Sequence, residues 1–271
     1  MNVTFIGGGN MASALISGLL QQGRAASSMR VVEVSANARN TIQRSFGVTA
    51  YPDLPQGCAG SDIIILAVKP QQMREVALAL KVLLKKQIVI SIAAGIRTRD
   101  LSRWLGGYSR VVRVMPNTPA LVGAGISGLY AMPAVTPAEK QQAETILSAV
   151  GYTLWLDSEE QMDAITAVSG SGPAYVFYFI EALQCAAQEL GFDAQQARQL
   201  SLETFAGAVK LAKHGTEDAQ TLRQRVTSRG GTTERAISIM EQAQLQRHIT
   251  NAIRAAQERS RELGDEFGKA D

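Results

Sequence analysis

Cysteine and histidine are scarce in this chain of 271 residues: each occurs twice. Cys58 and Cys185 stand far apart and outside any C-x-x-C spacing, which excludes a disulfide scaffold and a structural zinc site and fits a reducing compartment. No metal ligand set is expected. His214 and His248 fall on predicted helices among polar neighbours, where surface or capping roles suit them better than catalysis. No run of lysine and arginine accompanies the net charge of +3, so neither nucleic acid nor an acidic membrane surface is an expected partner. A long uncharged apolar run is also missing. The most apolar stretch, 173–190, carries Glu181, Gln184, Gln188 and Glu189 and runs into Gly191, so it reads as a buried helix and not as a membrane span. The apolar N-terminal stretch lacks a basic leader and is broken by Gly7, Gly8 and Gly9, which reads as a mature cytoplasmic N-terminus.

What is present is the composition of an ordinary globular protein, 46% hydrophobic and 19% charged. Its length is that of about two domains. From the start to residue 157, short β-branched runs alternate with helical patterns, which predicts βαβ units and a parallel sheet. The predicted strands are 3–6, 31–34, 63–68, 88–92 and 111–115. Between the first two, Leu15, Ile16, Leu19 and Leu20 repeat at helical spacing up to Gly23, a residue suited to a left-handed stop. Thr136-Pro137-Ala138-Glu139 combines a capping hydroxyl, a proline at the first helical position and an acid three residues after the cap, so a helix starts there. Residues 158–271 carry no strand pattern and read as helices with glycine stops at Gly191 and Gly215. Residues 175–180 are apolar on nearly every side, which calls for covering helices, with a second subunit as a source of them. Ile249, Ile253, Ala256, Leu263 and Phe267 form a narrower stripe on the last helix.

Gly7-Gly8-Gly9-Asn10-Met11-Ala12 fits G-x-G-x-x-G/A between a strand and a helix, where a dinucleotide-binding turn must lie. Gly7 permits the tight turn, Gly9 lets backbone approach a pyrophosphate, and Ala12 allows close helix–strand packing. The helix N-terminus adds N–H groups and partial positive charge. A glycine turn that merely packs well is the alternative. At the end of the second strand the signals conflict. Glu33 suits a ribose diol and so NADH, while Ser35 and Arg39 suit a 2′-phosphate and so NADPH.

Further segments are hard to explain by packing alone: Ala67-Val68-Lys69-Pro70, Ser91-Ile92-Ala93-Ala94-Gly95, Arg113-Val114-Met115-Pro116-Asn117-Thr118-Pro119, Ser169-Gly170-Ser171-Gly172-Pro173-Ala174-Tyr175 and Ser228-Arg229-Gly230-Gly231-Thr232-Thr233. Together, in this order, they resemble the pyrroline-5-carboxylate reductase family over nearly the whole chain. The resemblance implies an α/β fold with an N-terminal Rossmann-type doubly wound sheet and an all-helical C-terminal dimerisation domain, residues 1–157 binding the dinucleotide and 158–271 binding substrate and partner. It implies hydride transfer from NADPH, with NADH as the alternative, to the C=N bond of 1-pyrroline-5-carboxylate, giving L-proline. It also implies an interlocked dimer, often assembled into a ring of dimers.

Carried onto this sequence, the resemblance gives Ile6, Gly7, Gly8, Gly9, Asn10 and Met11 to the pyrophosphate and Ser35 to the adenosine ribose. Ala67, Val68, Lys69, Pro70, Ala93 and Ala94 border the nicotinamide half. For Lys69 the backbone is assigned before the ammonium, which reads equally as solvated. Ser228, Gly230, Gly231, Thr232 and Thr233 form the turn that takes the substrate carboxylate, with the Thr233 hydroxyl near the ring nitrogen as the catalytic candidate. Thr232 or Thr233 as a helix cap is the plainer reading of that turn. Arg229 stands where the family commonly has proline. A threonine hydroxyl is too weak an acid to protonate the amine alone, so Thr233 orients and hydrogen-bonds. Asn117 reads equally as a site residue or a turn residue, and Ser171 reads better as a cap. A hydroxyacid reductase is the rival enzyme, but Lys210 and Lys213 lack the surroundings of its catalytic lysine. A cofactor sensor without turnover would not need the second glycine turn.

Overall fold

Val3-Thr4-Phe5-Ile6 forms β1 (Val3–Ile6), and all four residues are buried. A strand apolar on both faces belongs in the middle of a sheet covered on both sides. The computed structural model describes residues 1–269, so the last two residues of the expected C-terminal domain lie outside it. The other strands are β2 (Met29–Val32), β3 (Thr49–Tyr51), β4 (Ile63–Leu66), β5 (Ile88–Ser91), β6 (Val111–Met115), β7 (Gly125–Ala131) and β8 (Gly151–Trp155). They form one sheet in the order β3-β2-β1-β4-β5-β6-β7-β8. Neighbours pair in parallel, with Phe5 opposite Val31 on one side and Ile65 on the other. The five expected strands pair in parallel throughout, while β7 is the exception, antiparallel to β6, and β8 runs parallel to β7.

Helices cover both faces, and the period-2 alternation of each strand feeds both cores. Phe5, Ile63 and Ile65 join Leu15, Ile16 and Leu19 of α1 (Asn10–Gln21) on one face. Ile64, Leu66 and Val89 face the other way, onto α4 (Pro70–Leu80) and α5 (Thr98–Trp104), while α2 (Ala36–Phe46) and α3 (Leu54–Cys58) follow β2 and β3. Each fully buried isoleucine or leucine contributes about 1.5–3 kcal/mol relative to exposure. Thr136 and Glu139 make the expected reciprocal cap at the start of α6 (Pro137–Leu147). The chain order reverses between β1 and β4, and the crevice beyond their carboxyl ends is where a ligand binds in an open α/β sheet.

Three strands escape the sequence pattern, β3 by its shortness and β7 and β8 by their glycines. A Cβ on Gly128 would lie 2.7 Å from Ile165 Cγ2, so the glycine in β7 admits the helix α7 (Gln161–Ile165) against the strand. The second strand also ends two residues early, at Val32 and not at Val34, because the backbone turns where the Glu33 carboxylate accepts from the Ser35 amide.

The chain divides into two compact units, one of residues up to Ser171 together with those from Ala256 onward, the other Gly172–Ala255. In the second unit α8 (Gly172–Glu189) packs on α9 (Ala194–His214), and α10 (Ala219–Arg225), α11 (Thr232–Gln242) and the first part of α12 (Leu245–Gly268) complete it. The expected apolar helix is there, yet α8 has no buried residue, with Phe177 64% and Tyr178 71% exposed. The later part of α12 belongs to the sheet unit, where Ser260 donates to Asp163 and Arg97 pairs with Asp265 at 2.6 Å. Among the described residues, no helix is long and apolar enough to cross a membrane.

Candidate functional site

The first glycine turn is shaped by close approach. Gly7 has φ +97°, and a Cβ there would sit 2.7 Å from the Ala67 carbonyl oxygen. Its N–H donates to the Val32 carbonyl, and the Ala67 N–H donates to the Ile6 carbonyl, which ties β1, β2 and β4 together at the crevice. A Cβ on Gly8 would strike Ile42 Cδ1 at 2.1 Å. Gly9 differs from both, since a Cβ there would meet nothing within 4 Å. Gly9 is the N-cap of α1, no side chain caps it, and the first turn holds no acid. The N–H groups at this helix start are thus left to an anion, and the space over Gly9 lets one approach. A dinucleotide pyrophosphate fits that cradle.

Beside the turn lies a cavity of about 410 Å³. Its walls bring together Ile6, Gly7, Gly8, Gly9, Ala67, Val68 and Lys69. Asn10, Met11, Ser35, Pro70, Ala93 and Ala94 are not among its wall residues. Pro70 opens α4 with Lys69 as its N-cap, and Ala93 is buried, its N–H donating to Ser91 Oγ. Pro52, Asp53 and Leu54 also line the cavity and were not anticipated. They follow β3, which the sequence hid. The legible signal was Asp53 before Leu54-Pro55, a cap with proline in the first turn, and Asp53 Oδ1 does accept from the Gln56 N–H at 2.9 Å.

At the end of β2 the Glu33 carboxylate accepts from the Gly8 N–H at 3.2 Å and the Ser35 N–H at 2.9 Å. The Ser35 hydroxyl caps α2 by accepting from Ala38, and the Arg39 guanidinium donates to the carbonyls of Glu33 and Val34.

The second turn lies in the helical unit. Gly230 is left-handed at φ +71°, its N–H donates to Glu234 Oε2 at 2.7 Å, and a Cβ on Gly231 would press on Ser228 Oγ. Gly231 itself is the N-cap of α11, with no side-chain cap. Neither Thr232 nor Thr233 therefore acts as the cap. Thr232 is exposed, Thr233 half-buried, and Arg229 exposed beside them.

The remaining candidates resolve as structure. Asn117 is buried, donates from Nδ2 to the Ser169 carbonyl and accepts the Ile126 N–H at Oδ1, bonds to distant backbone and not a cap of its own turn. Ser171 closes the π-turn at Thr166–Gly170 and does not open a helix: its backbone is already helical, at φ −83° and ψ −19°, its N–H donates to the Thr166 carbonyl, and the chain continues into α8. Cys58 is buried and its thiol is pushed up to about 11 by that burial, so it behaves as a small apolar group. His214 closes α9, where a cation suits the helix terminus.

The likeness to known proteins runs the length of this architecture. Residues 159–263 match the family described as "Pyrroline-5-carboxylate reductase dimerisation", and residues 2–95 match "NADP oxidoreductase coenzyme F420-dependent". The pyrroline-5-carboxylate reductase of Pseudomonas aeruginosa is 44% identical over 268 residues, covering 98% of each chain. A solved pyrroline-5-carboxylate reductase from Coxiella burnetii superposes with a TM-score of 0.92 at 42% identity, over 97% of this chain and 98% of that one. The Plasmodium falciparum enzyme, solved with NADP bound, gives 0.87 at 30% identity over the same shares. The helical unit thus carries a self-association region, and the chain belongs to the pyrroline-5-carboxylate reductase family.

Proposed function

We propose that the chain reduces 1-pyrroline-5-carboxylate to L-proline, the last step of proline biosynthesis, with a reduced nicotinamide dinucleotide as hydride donor. The observation that carries this reading is that both glycine turns open helices without side-chain caps, in a chain akin to these reductases from end to end. The dinucleotide supplies the hydride. The task left to the residues is to bind, orient and exclude water.

In this reading Ile6 to Met11 hold the pyrophosphate, with Ser35 toward the adenosine ribose. Ala67 to Pro70, Ala93 and Ala94 border the nicotinamide. The substrate carboxylate takes the N–H groups at the start of α11, with Ser228, Gly230, Gly231 and Thr232 shaping the turn. Glu234 already occupies the Gly230 N–H, which holds that glycine in its left-handed conformation and leaves the helix start free. The Thr233 hydroxyl hydrogen-bonds the ring nitrogen, and the proton arrives with the iminium or from water.

The reading divides the labour at residues 157 and 158, with dinucleotide binding before and substrate binding and dimerisation after. It includes an interlocked dimer and a ring of dimers in the cytoplasm. The bare apolar side chains of α8 and the dimerisation match at 159–263 support the pairing. The test is reduction of 1-pyrroline-5-carboxylate by the purified protein, followed by loss of nicotinamide absorbance and by detection of proline. Absence of proline with either cofactor would refute it.

A further inference from the structure

We propose that Glu33 sets the dinucleotide preference of this chain: its carboxylate takes the adenosine ribose diol of NADH and repels the 2′-phosphate of NADPH. This rests on the dinucleotide reading of the cavity beside the first glycine turn.

Position comes first. Glu33 follows β2 directly, lines that cavity, and is fixed at both oxygens, Oε2 by the Gly8 N–H at 3.2 Å and Oε1 by the Ser35 N–H at 2.9 Å. A carboxylate offers about four acceptor positions, so these two bonds leave room for both hydroxyls of a ribose diol. A carboxylate at the end of the second strand is the group that receives such a diol in this fold.

Arg39, the cation suited to a 2′-phosphate, is bonded through one nitrogen to the backbone that follows β2. Arg39 donates to the carbonyls of Glu33 at 2.7 Å and Val34 at 2.9 Å, and it is not among the cavity's wall residues. The Ser35 oxygen accepts from the Ala38 N–H as the cap of α2, and Ser35 is not among the cavity's wall residues. Glu33, Asp53 and Glu75 line the cavity, and among the described wall residues Lys69 is the one cation. Lys69 stands after β4, across the glycine turn from β2. A phosphate dianion at the Glu33 carboxylate would meet like charge, and Arg39 would have to turn from the backbone into the cavity to answer it, whereas a diol carries no charge to repel. The order of cofactors implied by the resemblance is thereby inverted.

The test is calorimetric titration of the purified full-length protein with NADH and with NADPH, for the wild type, Glu33→Gln and Glu33→Ser. Wild type is expected to bind NADH at least about tenfold more tightly. Glu33→Gln, which keeps the shape and removes the charge, should narrow that ratio, and Glu33→Ser should abolish or reverse it. Equal or tighter binding of NADPH by the wild type overturns the proposal, as does a ratio unchanged in both variants. Turnover of 1-pyrroline-5-carboxylate in the same samples separates the two readings. NADH-selective binding without turnover would sink the reductase and leave the role of Glu33 standing, while turnover with NADPH-selective binding would do the reverse.

Discussion

Ile63, Ile64, Ile65 and Leu66 of β4 are all fully buried, whereas Val176, Phe177 and Tyr178 of α8 stand exposed although they are as apolar. The sheet unit buries most of its apolar residues among its own strands and helices, although Val82, Val122 and Tyr152 stand exposed. The helical unit does not. Its Leu190, Leu211, Ile239 and Met240 are also exposed, and Ala197 is its only buried apolar residue among those described. Exposed apolar surface on this scale marks an interaction face and not a finished core. The self-association match at 159–263 therefore includes the part of the chain that lacks internal cover, and that part is expected to gain stability with protein concentration.

The largest effect should come from opening a cavity in the sheet. Ile65→Ala, at the centre of the larger core, is expected to destabilise by about 2–5 kcal/mol. Thermal melts should give the same loss at low and high protein concentration. Phe177→Asp should break the comparison from the other side. It removes little that the single chain buries, yet at an assembly face a charged replacement for an aromatic anchor is expected to cost about 2–4 kcal/mol of association. Sedimentation should then find dissociated chains at concentrations where the wild type is assembled. An assembly unchanged by Phe177→Asp would mean that α8 is not the face that pairs.

The two glycine turns sharpen the contrast at the level of chemistry. Thr233→Ala should lower reduction of 1-pyrroline-5-carboxylate about tenfold, the worth of one hydrogen bond, with Thr233→Ser recovering most of it. Dinucleotide affinity should not move, because the turn proposed for the pyrophosphate lies between β1 and α1. An unimpaired alanine variant would remove Thr233 from the reaction.

What the sequence made legible follows the same division. The central strands could be read because β1 and β4 are unbroken apolar runs, and the first turn because Gly7 and Gly9 fall between a strand and a helix. β7 could not, since Gly125 and Gly128 are there to admit Ala120 and Ile165, and such a contact leaves no apolar alternation to detect. Asp53 was hidden with β3, and residue type alone did not reveal that Glu33 accepts the Ser35 N–H, that Ser35 caps α2 or that Arg39 donates to the Glu33 carbonyl. Ser171 misled as a cap because a π-turn before it leaves no helix start to satisfy.

The smallest expected effect concerns the end of α12, which returns to the sheet unit through polar links as well as Phe267 on Gly95. Asp265 accepts from Arg97 at 2.6 Å, and that hydrogen bond first, then the charges of Arg97, Lys269 and Arg99, holds its carboxyl below the usual 3.8. A group whose folded value is depressed stabilises the fold above its unfolded value and loses that contribution as pH falls through the folded value. Asp265→Asn should therefore lower the melting temperature slightly at neutral pH, the difference from wild type shrinking as the pH drops below 3.8. Salt should shrink it as well, because the pair is open to solvent. A difference that persists unchanged in acid would assign the effect to the shape of the Arg97 contact and not to its charge, and the return of α12 would then rest on packing, as the rest of the sheet unit does.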